Sequence, residues 1–261
     1  MGVLNVTPDS FSDGGLFLDR KAAIARGLQM WEQGADLVDV GGESTRPGSA
    51  AVSAEEESYR VVPVVTALVA QGVRVSIDTS KAVVAEAALR AGAAVVNDVT
   101  ALGDPDMAAV VAESKCGVVL MHMQGTPRTM QTDPHYDDVV SEVRDFLVGR
   151  LAVAQAAGVP EERVCLDPGI GFGKTLAHNL DLLTSGVAAL AATGLPVLVG
   201  ASRKSFLERI LGPTPPAERD GATAAAHVLA IASGASAIRV HSVVEGLRSA
   251  RVADAIVRRT P

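Results

Sequence analysis

Eight short runs rich in β-branched and aliphatic residues recur along the chain, and longer stretches with apolar residues at helical spacing lie between them. The runs occupy residues 2–6, 37–40, 74–78, 95–98, 117–121, 164–167, 196–200 and 237–241. Helical stretches are predicted at 21–33, 54–69, 82–91, 139–157 and 222–233. Such alternation implies a parallel sheet covered by helices. Eight strands covered on both faces close into a barrel, whereas an open doubly wound sheet usually has fewer. The fold predicted is therefore an α/β protein of the (β/α)8 TIM-barrel type, and the 261 residues suit one domain spanning 1–261. Gly34, Gly92 and Gly234 each stand at the end of a helical stretch just before a strand, where a left-handed residue is expected.

A barrel of this kind places its chemistry at the C-terminal ends of its strands, so the residues closing each strand are informative. Here they are polar: Asn5, Asp39 with Glu43, Asp78, Asn97 with Asp98, His122, Asp167, Lys204 shortly after the seventh run, and Arg239 with His241. Each has a structural explanation when taken alone. Asp104 before Pro105 reads as a helix cap, Asp39 and Asp98 can serve loops, and His122 and His227 read as hydrogen-bonded structural residues. Taken together they place amides and carboxylates on several strands opposite cations from the seventh and eighth. A ring with adjacent N–H donors suits Asp78, Asn97 and Asp167, and a phosphate suits Arg239 and His241 beside the last strand. The run from Asp167 to Lys174, with glycine at 169, 171 and 173, admits close approach of a flat ligand or simply marks a tight turn.

The net charge of −7 gives no broad attraction to nucleic acid or to an anionic membrane, so an anionic ligand must be held locally. No apolar run is long enough for a transmembrane helix, and the first residues lack the basic and apolar pattern of a secretory leader. A cytoplasmic protein is expected. Cys116 and Cys165 lack metal-ligand spacing and are expected to be buried free thiols.

The longer motifs are specific. The opening Asn5-Val6-Thr7-Pro8-Asp9-Ser10-Phe11-Ser12-Asp13-Gly14-Gly15 resembles that of the dihydropteroate synthase family. Similar matches follow in order: Gly41-Gly42-Glu43-Ser44-Thr45-Arg46-Pro47-Gly48, Ser76-Ile77-Asp78-Thr79-Ser80-Lys81, Asn97-Asp98, Leu120-Met121-His122-Met123-Gln124-Gly125, the run 167–174, Ser202-Arg203-Lys204-Ser205 and Ile238-Arg239-Val240-His241. The resemblance covers essentially the whole chain.

It implies transfer of a pterin from its pyrophosphate to p-aminobenzoate in folate synthesis, by a magnesium-using homodimer that binds neither nucleic acid nor membrane. Residue by residue, the family's pterin contacts fall on Asp78, Asn97, Val99, Met121, Asp167 and Lys204. Its pyrophosphate contacts fall on Asn5, Arg239 and His241, with magnesium at Asn5. Its p-aminobenzoate contacts fall on Thr45, Arg46, Pro47, Phe172 and Ser202, and its catalytic set on Asp13, Lys204, Arg239 and His241. The chain departs from the family at Ser242, where Asp is common. It also opens directly on its first strand, from which either a more open barrel floor or a shortened chain is expected. Two other readings remain: a pterin-binding methyltransferase domain, and a silent paralogue on an intact barrel.

Overall fold

The computed structural model describes residues 1–7, 15–45 and 48–259, the side chains of 15–19 aside. Among the described residues, eight parallel strands alternate with helices. They are β1 (Gly2–Asn5), β2 (Val38–Gly41), β3 (Val75–Asp78), β4 (Val95–Asp98), β5 (Gly117–Met121), β6 (Val164–Asp167), β7 (Leu198–Val199) and β8 (Ala237–Ile238). The first six pair in sequence order and β7 pairs with β8. Parallel bridges between Leu166 and Val197 and between Gly2 and Val240 join the two groups into a closed barrel. The last two strands are shorter than their sequence runs, because their flanks meet β6 and β1 through single bridges instead of ladders.

Helices α1 (Gly15–Glu32), α2 (Ala54–Ala70), α3 (Ala82–Arg90), α4 (Met107–Ser114), α5 (Val139–Ala156), α6 (Leu176–Asp181), α7 (Val187–Ala191), α8 (Ser205–Leu211), α9 (Asp220–Ala232) and α10 (Val243–Val257) surround the strands. Side chains alternate across each strand. Val38, Val40, Val75, Ile77, Val96, Val118, Leu120, Val164 and Leu166 join the large core cluster with the helices. Asp39, Asp78 and Asn97, at intervening positions, bond instead to one another or to Arg239.

Local signals set the helix ends. Ser53 caps α2 by accepting from the Glu56 amide, and Asp138 caps α5 by accepting from the amides of Val140 and Ser141. Pro63 inside α2 has no N–H for the Tyr59 carbonyl, which accepts from Arg20 Nη2 at 3.2 Å. Gly34, Gly92 and Gly234 have φ of 98°, 104° and 110°, the left-handed conformation predicted for them. Asp104 serves the helix that follows it, its Oδ1 accepting from the Asp106 amide at 3.0 Å in the turn that opens α4, and a second helix as well. Its Oδ2 accepts from the Ala82 amide at 3.0 Å and so closes the start of α3. Both cysteines are free; Cys116 is buried, while Cys165 is only partly so.

Candidate active site

The register brings the polar strand ends to one rim. Asn5 lies beside Gly41, Gly41 beside Asp78, and Asp78 beside Asn97. Met121 lies beside Asp167. At the centre stands Arg239, which follows β8. Its Nε donates to Asp39 Oδ2 and its Nη2 to Asp78 Oδ2, each at 2.6 Å. Asn97 Nδ2 donates to the same Asp39 oxygen at 3.0 Å.

Asp39 is therefore no loop residue, and that expectation is corrected. It is fully buried in the barrel lumen and joins a cation to an amide, while its second oxygen has no hydrogen-bond partner among the described residues. Asp98, by contrast, does serve a loop. It accepts from the amides of Thr100 and Leu102 and from the Thr100 hydroxyl.

Charge is tightly managed in this rim. Burial lifts the Asp78 carboxyl to about 7, with Arg239 opposing and the carboxylates of Asp39, Glu57 and Asp98 adding to the rise. Burial likewise raises Asp167, against the pull of Lys204, the Gly169 amide, Arg239 and Lys174. Lys204 is lowered to about 8, by burial first and by Arg239 as well, with Asp167 and Asp78 resisting. Burial opposes the charge on Arg239, yet Asp39 and Asp78 more than offset it and keep the guanidinium ionised.

The glycine run forms the next wall. Asp167 Oδ1 accepts from the Gly169 amide at 2.7 Å. Gly169 has φ of 67°, and a Cβ there would fall 1.9 Å from the His122 carbonyl oxygen, so a side chain is excluded by both strain and contact. Beneath it Lys174, 2% exposed, donates to the carbonyls of Phe172 (2.9 Å) and His122 (3.3 Å) and lies 3.0 Å from His122 Nδ1. Burial holds both Lys174 and His122 well below their ordinary pKa, His122 at about 3, so His122 does not suit proton transfer near neutrality. His122 is structural, as its sequence context suggests. Lys174 was singled out by nothing in the sequence beyond the motif that contains it. Lys204 Nζ donates to the Ile170 carbonyl and lies 4.6 Å from the centre of the Phe172 ring.

Ser202 Oγ accepts from the His241 amide at 3.2 Å and lies 2.9 Å from His241 Nδ1. Val99 and Met121 are buried at the ends of β4 and β5. Thr45 is half-buried after β2. Asp13, Arg46 and Pro47 lie outside the described residues. The fold thus brings Asp78, Asn97, Asp167, Lys204, Phe172 and Arg239 around one lumen end, with Ser202 and His241 paired on β7 and β8 exits.

Residues 1–241 match the family described as "Pterin binding enzyme", which makes the class of this barrel a pterin-binding one. The dihydropteroate synthase of Escherichia coli K12 is 46% identical over 256 residues, covering 98% of this chain and 90% of that protein. The Xanthomonas albilineans dihydropteroate synthase solved with 4-aminobenzoic acid is 47% identical with a TM-score of 0.93, covering 100% of this chain and 93% of that one. The same enzyme in complex with 7,8-dihydropteroate gives 45% identity and a TM-score of 0.90, with 100% and 94% covered. The chain belongs to the dihydropteroate synthase family.

Proposed function

We propose that the family reaction runs in this chain between a buried pterin cage and an adjoining anion edge. That reaction condenses 6-hydroxymethyl-7,8-dihydropterin pyrophosphate with p-aminobenzoate to give 7,8-dihydropteroate and pyrophosphate. The observation that carries this reading is the convergence of Asp39, Asp78 and Asn97 on Arg239.

Because Asn97 gives its Nδ2 to Asp39, its carbonyl oxygen is left to accept from a ring N–H. Asp78 and Asp167 each have one oxygen engaged by a protein donor, which leaves the other for the amino and N–H groups of a pterin. Lys204 donates to the ring carbonyl, and Val99 and Met121 supply apolar walls. On Arg239 the protein bonds use Nε and Nη2, so Nη1 faces the leaving pyrophosphate together with His241 and Asn5.

Breaking the methylene C–O bond leaves negative charge on pyrophosphate and positive charge that the electron-rich dihydropterin can spread. The arylamine of p-aminobenzoate is neutral near pH 7, so its lone pair attacks the methylene carbon without a strong base, and its proton leaves afterwards. Lys204, Arg239, His241 and Asp13 form the proposed catalytic set. Thr45, Arg46, Pro47, Phe172 and Ser202 receive p-aminobenzoate, a reading supported by the 4-aminobenzoic acid solved with the X. albilineans relative.

Asn5 offers one hard amide oxygen, and the described residues contain no cluster of three His, Cys, Asp or Glu able to hold a metal. That donor set fits magnesium, which keeps most of its waters and takes phosphate oxygens. When bound, the ion neutralises charge on the leaving pyrophosphate.

A cytoplasmic homodimer completes the proposal. No helix among the described residues is long and apolar enough to cross a membrane, and Leu229 of α9 with Val252 and Ile256 of α10 are exposed aliphatics available to a second copy. The deciding assay is pyrophosphate release that requires both substrates. No release at all removes the reading in favour of a methyltransferase or a silent pterin binder, and release that does not depend on p-aminobenzoate points to hydrolysis in place of transfer.

A further inference from the structure

The loop between β2 and α2 carries Thr45, Arg46 and Pro47, and its stem is fixed by charges that are hydrogen-bonded to none of the pterin-cage residues. Gly42 packs flush on α2, since a Cβ there would lie 2.7 Å from Val61 Cγ1 and 3.0 Å from Glu57 Cγ. Arg60 Nη1 of α2 donates to the Gly42 carbonyl at 2.9 Å. The next residue, Glu43, spans the loop: its Oε1 accepts from the Val52 amide at 3.1 Å, and its Oε2 accepts from Lys81 Nζ. One carboxylate thus ties the start of the loop to its end.

Lys81 is a fixed post. It stands at the boundary before α3, three positions beyond Asp78, and its Nζ also donates to Glu57 Oε2 at 2.5 Å. Glu57 is fully buried, and its other oxygen has no partner among the described residues. A carboxylate in that setting holds its cation firmly, because losing it would leave an uncompensated buried charge. Closing a loop near its base also removes freedom that its tip would otherwise have to lose on binding.

We infer that Glu43 and Lys81 are positioning residues for the second substrate, holding the start of the loop between β2 and α2 through the Glu43–Lys81–Glu57 ion pairs so that Thr45, two positions on, meets p-aminobenzoate. This rests on the assignment of that loop to p-aminobenzoate. Neither residue touches substrate; both act through the loop.

Glu43→Gln is the decisive variant. It leaves Lys81 paired with Glu57, and its carboxamide can still accept from Val52, so folding is preserved. The KM for p-aminobenzoate should rise about tenfold, the scale of one charge-assisted hydrogen bond, with kcat and pterin pyrophosphate KM within about twofold. Lys81→Met should give a similar rise, Lys81→Arg should restore much of it, and Glu43→Gln/Lys81→Met should be no worse than Lys81→Met alone. If Lys81→Met does not fold, Glu43→Gln and Lys81→Arg decide the matter. An unchanged p-aminobenzoate KM in folded Glu43→Gln overturns the inference, as do equal losses for both substrates with a lowered Tm. Thr45→Val separates the two claims. A rise there with none in Glu43→Gln removes the positioning role alone, whereas no rise in either variant removes the loop assignment with it.

Discussion

The proposed pterin side and the proposed aminobenzoate side of this site are built in opposite ways. The pterin side consists of strand ends: Asp39, Asn97 and Asp167 are almost wholly buried, and Arg239 fixes two carboxylates from different strands. The aminobenzoate side is a loop whose stem is anchored at Glu43. A strand end is positioned by its ladder before any ligand arrives, whereas a loop tip gains order from what it binds. The first side should therefore bind alone, and the second should bind on condition.

The largest effect is expected where the rigid side loses its central cation. Arg239→Met leaves Asp39 buried without its ion pair, and urea denaturation should report a loss of about 3 kcal/mol. Because Arg239 also holds Asp78, affinity should fall for the bare pterin alcohol as well as for its pyrophosphate. The charge pattern along the sequence suggests a loss confined to the pyrophosphate ester, and titration of both ligands decides between the two. A stability change below about 0.5 kcal/mol would show that the ion pairs do not organise the cage.

Asp167→Asn should weaken pterin binding by roughly ten- to a hundredfold, about 1.5–3 kcal/mol for a charge-assisted contact. Unchanged affinity by calorimetry would count against Asp167 as the pterin anchor. On the loop side, p-aminobenzoate affinity should rise at least about tenfold when magnesium pyrophosphate is present, since an anion at the strand ends adds contacts beside the second site. Equal affinity in its presence and absence sinks the contrast between the two sides.

The smallest effect is a dependence on pH. Lys204, lowered to about 8, is the proposed donor to the pterin and donates more strongly while protonated, so affinity for the uncharged pterin alcohol should fall as pH rises through that value. Proton uptake by Asp78 as pH falls through about 7 should weaken the cage from the other direction. In Lys204→Arg the alkaline fall should move upward, and a profile unaltered by that change would be fatal to the role given to Lys204.

The sequence by itself determined the barrel, because strand and helix periodicities are local and eight alternations leave few ways to bury both faces. It also named the cage chemistry: Asn97, Asp167 and Lys204 stand out as polar residues just where buried strands should end. Only the tertiary structure decided which groups answer one another. Arg239 meets Asp78 across 161 residues of chain and Asp39 across 200, so Asp39 looks like any loop-serving carboxylate until the eighth strand closes on the first. Lys174 reads as one more lysine after a glycine run until the turn folds over it, and the second role of Asp104, at the Ala82 amide, is invisible until α3 is packed beside it. Partner choice among buried polar groups depends on which strand ends share a lumen, and that is set by closure of the whole barrel rather than by the spacing of neighbours along the chain.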